Sequence, residues 1–371
     1  MSRFYYYLII INMVANIIAS VPAILLNYHD DGAVISMLLS IAAGVLLVTL
    51  YTKFFLKYPG KTLPELLEKT TSKWFYLPFV FVLAVLWFVA GLITLITFTF
   101  LLIRYLSPEM PIILICLTLI LSVIFGCILK TDRVMYTVEM IMIITSPLIL
   151  FIFFKAYSSN SLNWDFVREA ALYINQVPNW HSFSACFFLF LGAANLFIFN
   201  RFFTDKQKFG FRQIMFIVLI SVGTLFTTYF IPIGFNGLEG IDDLVYPWIS
   251  TTDSIRMDYF IIERVLFMFL LFYLGIAFLS ILIHWYAAVE FLKFTFKLEK
   301  IKYKDKVIGM FLPLPIFVAI SLYFVTVLTE YQLFQYSSYF YDVLVFIFPG
   351  MILLFTYINR RMKNEESSPE N

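Results

Sequence analysis

From Phe4 to Leu26 the chain runs without one charged residue, a length sufficient to cross a bilayer. Nine more apolar stretches follow, giving ten candidate spans at roughly 4–26, 33–55, 77–103, 111–129, 134–154, 181–199, 213–233, 260–288, 307–328 and 342–358. A soluble domain carries about 25% charged residues. Here 13% are charged and 61% hydrophobic, with a mean hydropathy of +0.88. The fold class expected is therefore an all-α integral membrane protein with ten transmembrane helices. It forms a single polytopic domain over 1–363, with a short polar tail, 364–371, that reads as disordered. The first run lacks a small-residue cleavage site and is followed at once by another span, so it reads as a retained helix.

Charge placement orients the spans. Of the 26 Lys and Arg residues, all but five (Arg104, Lys155, Arg168, Arg256 and Arg264) fall on one side. Positive residues mark the cytoplasmic face, so both termini are expected inside. Two outer loops are long enough to hold structure. In 155–180, Asn163 or Asp165 is placed to cap a short surface helix. The stretch 234–259 is either a solvated loop or a segment folded back over the outer mouth around Pro247 and Trp248.

Several polar residues sit where lipid offers no partner. Asn12, Asn16 and Ser20 repeat at i, i+4 and i+8, one helical face, and Pro22 removes a backbone donor near Ile18. Either these residues hold helices together or they face a binding cavity beside a bend. In the sixth span Gly192, Ala193, Ala194 and Asn195 interrupt an aromatic helix. Breaks in the first and sixth spans would meet at the midplane if the halves are inverted repeats. The eighth span adds Tyr273, Ser280 and His284, and the third offers Gly91, Thr94 and Thr97, whose hydroxyls can equally bond back to their own helix. Glu139 in the fifth span is read as pairing with Arg133 or a basic loop. Glu263 and Arg264 open the eighth span as an ion pair or loop anchor.

No cofactor or metal is expected. The three cysteines (Cys116, Cys127, Cys186) read as buried small hydrophobes, and the three histidines (His29, His181, His284) lie on separate elements. No phosphate loop, nucleophile elbow or metal-ligand helix is present in the sequence, so an enzyme is not expected, nor is a nucleic-acid partner.

"YPGKTLPELLEKTTSKWFY" (58–76) resembles a segment of the spore germination permeases, the B subunits of bacterial nutrient germinant receptors, within the amino acid–polyamine–organocation superfamily. "LVYPWISTTDSIRMDYFIIERV" (244–265) is similar to that family's outer loop and eighth-helix start. "FLFLGAANLFIF" (188–199) is similar to its sixth helix, and Arg133, Glu139 and Pro147 to its fifth. The resemblance covers nearly the whole chain. It implies a LeuT-like fold, five-plus-five inverted repeats with discontinuous helices one and six. It also implies a small, amino-acid-like nutrient bound among helices one, three, six and eight. The ligand-binding residues it then suggests are Ala15, Asn16, Ser20, Thr94, Gly192, Asn195, Tyr273, Ser280 and His284. Pro22, Arg133, Glu139, Glu263 and Arg264 would have structural or gating roles. Implied partners are an A subunit and a C lipoprotein in the spore inner membrane, where binding triggers ion release and germination. Ala15-Asn16-Ile17 stands where relatives commonly have Gly-x-Gly, and Ala193-Ala194 where they often carry an acid, so a more apolar pocket is expected. The alternatives are a secondary transporter, with Glu139 and His284 as proton carriers, and a scaffold that only stabilises a partner.

Overall fold

A computed structural model describes residues 1–18, 20–241, 244–255, 264–303, 306–307 and 309–367. Apart from a two-residue antiparallel ladder (302–303 with 306–307), the described regular structure is helical. Helices α1 (Arg3–Ala15) and α2 (Ser20–Leu26) meet at 52°. Then come α3 (Ala33–Phe55), α4 (Leu63–Thr70), α5 (Lys73–Tyr105), α6 (Ile112–Cys127) and α7 (Thr131–Tyr157). After the short α8 (Trp164–Leu172), α9 (Trp180–Phe188) passes into a 3₁₀ stretch at Leu189–Asn195, then α10 (Leu196–Phe199) and a last 3₁₀ turn at Asn200–Phe202. The remainder is α11 (Phe211–Ile241), α12 (Pro247–Ser254), α13 (Val265–Phe296), α14 (Pro313–Val327) and α15 (Glu330–Ser367).

Each of the ten apolar stretches contains helix, but the helices are not equally long. Among the described residues seven helices are long and apolar enough to cross a membrane, or eight with the bent pair α1–α2 taken as one span. The protein is therefore a multi-pass membrane protein. α6 and α14 have 16 and 15 residues, about 24 Å at 1.5 Å per residue, short of the roughly 30 Å hydrocarbon core. Proline starts both: Pro111 precedes α6 and Pro313 opens α14. α15 runs past the expected tail boundary to Ser367.

The centre of the bundle is α13, packed on α5, α6 and α7. Small residues set these approaches. A Cβ on Gly91 would lie 2.5 Å from Trp285 Cδ1, and one on Gly126 2.4 Å from Leu282 Cδ1. Phe125, Leu150, Leu219 and Leu353 are exposed on the periphery, the surface a lipid-facing bundle presents.

The outer loops are folded. Asn163 Oδ1 accepts the Asp165 amide and caps α8. α12 is tucked inward, with Trp248 buried against Phe153 and Phe269, so 247–254 is not a solvated loop. The Tyr246 hydroxyl donates to Glu330, which also pairs with Arg104. Burial first, then the Glu330 carboxylate, pushes the Tyr246 hydroxyl well above its ordinary pKa. Arg264 lies 4.0 Å from Asp253, and Glu263 lies outside the described residues. The three cysteines are free and buried.

Candidate functional site

The first-span polar stripe does not lie on one continuous helix, because α1 ends at Ala15 before the stripe is complete. Pro22 falls in the first turn of α2, where a missing backbone N–H costs nothing, so it fits a new helix rather than kinking an old one. Each polar side chain has a protein partner. Asn16 Nδ2 donates to the Asn12 carbonyl at 2.6 Å, covering the end of its own helix. Ser20 Oγ lies 2.6 Å from the Tyr341 hydroxyl on α15. Asn12 Nδ2 donates to the carbonyls of Phe188 (2.7 Å) and Leu189 (3.1 Å).

Those two carbonyls lie where the sixth span changes from α to 3₁₀ winding. Tighter winding redirects backbone bonds from i−4 to i−3, and Asn12 supplies donors there. Gly192 makes the contact possible, since a Cβ on it would lie 2.8 Å from the Leu8 oxygen and 2.9 Å from Ile9 Cα. The sixth span is thus rewound rather than bent apart, and it is the most enclosed of the candidate spans.

One turn beyond Gly192, Asn195 Oδ1 accepts the Trp87 indole N–H at 2.9 Å. Asn195, Trp87 and His284 line one cavity with Phe188, Leu191, Phe340 and Leu344. His284 Nδ1 donates to the Ser280 carbonyl at 2.6 Å, which leaves Nε2 as the ring nitrogen available to a ligand. The cavity volume is about 20 Å³, room for a water but not for a nutrient. Its polar groups are an indole, an amide and an imidazole, and its lining includes no Asp, Glu, Lys or Arg.

Of the residues singled out from sequence, the structure brings Asn195 and His284 together. Ser280 contributes through its carbonyl. The Thr94 hydroxyl returns to the Ala90 oxygen at 3.3 Å. Tyr273 packs on Phe269 (ring centroids 4.5 Å apart) with a buried hydroxyl lacking a hydrogen-bond partner; eleven residues before His284, it lies about 16 Å away along the helix. Gly192 stands at the contact between the first and sixth spans, and neither it nor Ala15, Asn16 or Ser20 lines the cavity.

Glu139 pairs with Arg3 and not with Arg133, which is exposed. Six residues at 100° each put the two side chains about 120° apart around α7. Sequence reasoning missed Glu290. Ending the eighth span at 288 left it in a loop, whereas α13 continues to Phe296. Its buried carboxylate meets Arg201 at 2.5 Å and Lys293. These three residues, with Glu65 and Glu68 of α4, line a cavity of about 410 Å³ on the basic side. Trp87 was also missed, being one aromatic among many in its span.

The sequence profile of the family described as "Spore germination protein" matches residues 2–326. The chain belongs to this spore germination permease family. No curated protein matches the chain. The segment that first suggested the family, 58–63, clasps the inner end of the sixth span. Asn200 Nδ2 donates to the carbonyls of Tyr58 and Lys61 at 2.8 Å each, and the Gly60 amide donates to the Phe203 oxygen at 2.9 Å. Gly60 has φ +72°, a conformation glycine adopts without strain. Thr62 and Glu65 then form a capping box that starts α4. Residues 58–65 are therefore a turn and cap that fix the end of the sixth span.

Proposed function

We propose that this germination-family membrane protein is the B-type, nutrient-sensing subunit of a germinant receptor. It works in the spore inner membrane beside an A subunit and a C lipoprotein, and it is not an enzyme. The fold we assign is the ten-span, LeuT-like inverted repeat. Support comes from matching element lengths in the two halves. The third members, α5 and α13, have 33 and 32 residues; the fourth, α6 and α14, have 16 and 15. Each third member is preceded by a proline-bearing eight-residue helix, α4 or α12. Five spans per half reverse the second half relative to the first.

The observation that carries the sensing role is the small cavity, lined without Asp, Glu, Lys or Arg, beside the rewound part of the sixth span. At about 20 Å³ it must open before a nutrient enters. A ligand that fits only the opened form shifts the population toward it. Asn195, Trp87 and His284 offer hydrogen bonds without charge, which suits the neutral polar part of a small nutrient. The Asn200 clasp on 58–63 then carries movement of the sixth span to the cytoplasmic face.

Deleting the gene and following spore germination with each nutrient tests this. Loss of the response to at least one nutrient is expected. Wild-type germination with every nutrient, in the deletion and on overexpression, overturns it. A transporter is distinguished by accumulation of labelled solute in proteoliposomes, where a receptor binds without accumulating.

A further inference from the structure

α15 contributes Phe340 and Leu344 to the cavity wall, and Asp342 lies between them. Its side chain, 16% exposed, is turned to the first turn of α9. Oδ1 accepts the Ser184 hydroxyl at 2.5 Å, and Oδ2 lies 2.8 Å from His181 Nδ1. The Ser338 hydroxyl is 3.1 Å from the same ring nitrogen. Next along α15, Tyr341 stacks on Phe188 at 4.3 Å and bonds Ser20 of α2. The stretch 338–342 therefore holds α2 and the outer end of the sixth span together above the cavity.

The titratable groups around the imidazole come from two elements. Asp342 and Tyr339 face it from α15. From the turn after α2 come Tyr28, stacked at 5.9 Å, and Asp31, held on the Asn179 amide two residues from His181. These described neighbours include no Lys or Arg.

We propose that His181 and Asp342 form a proton-binding latch that holds the outer half of the sixth span against α15 and limits widening of the cavity between them. With the proton bound, an imidazolium donates to a carboxylate across the two helices. When His181 gives the proton to outside water, a neutral imidazole faces the same anion. The carboxylate keeps a hydrogen-bond donor but loses the attraction of the cation, so the pair loosens. Parting α9 from α15 moves Phe188 away from Phe340 and opens the cavity wall. Asp342 and His181 thus make protons a second ligand of the chain. The consequence for nutrient entry rests on the sensing role proposed above.

The test uses intact cells expressing the full chain with Cys116, Cys127 and Cys186 replaced by alanine and Leu344→Cys added. Labelling by an external, membrane-impermeant maleimide is followed from about pH 5.5 to about pH 8, the range over which imidazoles ordinarily change charge. Rates are divided by those of a Leu172→Cys chain, whose site is 77% exposed, to remove the pH dependence of the thiol itself. The normalised rate is expected to rise about tenfold across the range, the change that losing the Coulomb attraction of one partly exposed ion pair gives. Asp342→Asn and His181→Gln should be fast and flat. A flat profile in the parent overturns the latch, as does an unchanged slope in either variant. If neither variant reaches the surface, the parent profile alone decides. A pH-dependent profile in a chain that binds no nutrient leaves the latch standing and removes the sensing role.

Discussion

The first and sixth spans both lose regular α-helix at mid-length, and they do so differently. The first is cut, with α1 and α2 meeting at 52° and Asn16 covering the end of α1 from within. The sixth stays continuous and changes winding, and its loosened carbonyls are covered by Asn12 from the other span. One discontinuity is self-sufficient and the other depends on its neighbour. The dependent one carries the cavity through Asn195, so packing of the first span against the sixth is coupled to the site.

The largest effect expected from breaking this arrangement is at Gly192. Gly192→Leu would drive a side chain into the backbone of Leu8 and Ile9, costing about 3 kcal/mol or more. Folded, monodisperse protein should be lost on extraction, whereas Gly223→Leu, with nothing within 4 Å of its Cβ position, should express normally. Next comes the contrast between the asparagines. Asn12→Leu strips donors from two buried carbonyls and should cost about 2–3 kcal/mol, while Asn16→Leu removes one bond within its own helix and should cost about 1 kcal/mol. Thermal unfolding followed by tryptophan fluorescence measures both, and equal shifts would erase the distinction between the two breaks. Smaller effects are expected at the inner carboxylates. Glu290→Gln leaves the partly buried Arg201 and Lys293 without their shared anion and should lower stability by about 1–2 kcal/mol. Glu139→Gln frees an Arg3 that is 67% exposed and should cost under about 1 kcal/mol. The same unfolding measurement ranks them.

Much of the fold could be read before any coordinates. Apolar runs of about 20 residues mark helices whatever surrounds them, and Asn163 ahead of Asp165 spells a cap locally. The break after Ala15 was legible as polar residues in an apolar run. The destinations of those polar groups were not. Asn12 reaches residues 188 and 189, and Ser20 reaches 341, partners that only tertiary packing selects. The same holds for Arg3 with Glu139 and for His181 with Asp342. Asp342 stood at the edge of a predicted span, where a carboxylate attracts no notice, and its position between Phe340 and Leu344 became meaningful only once both lined a cavity. Gly192 could be read either as a break or as a place of close helix approach, and it is both: it lies in the rewound stretch and against the backbone of the first span.

The central claim is that nutrient binds where Asn195, Trp87 and His284 converge. Its direct test is equilibrium binding of a panel of labelled amino acids and other small nutrients to the purified full chain, compared with Leu344→Trp, which fills the cavity. Saturable binding of at least one compound that Leu344→Trp abolishes, at matched folded protein, is the result predicted. Equal binding by both, or binding to neither by any compound, would contradict the account.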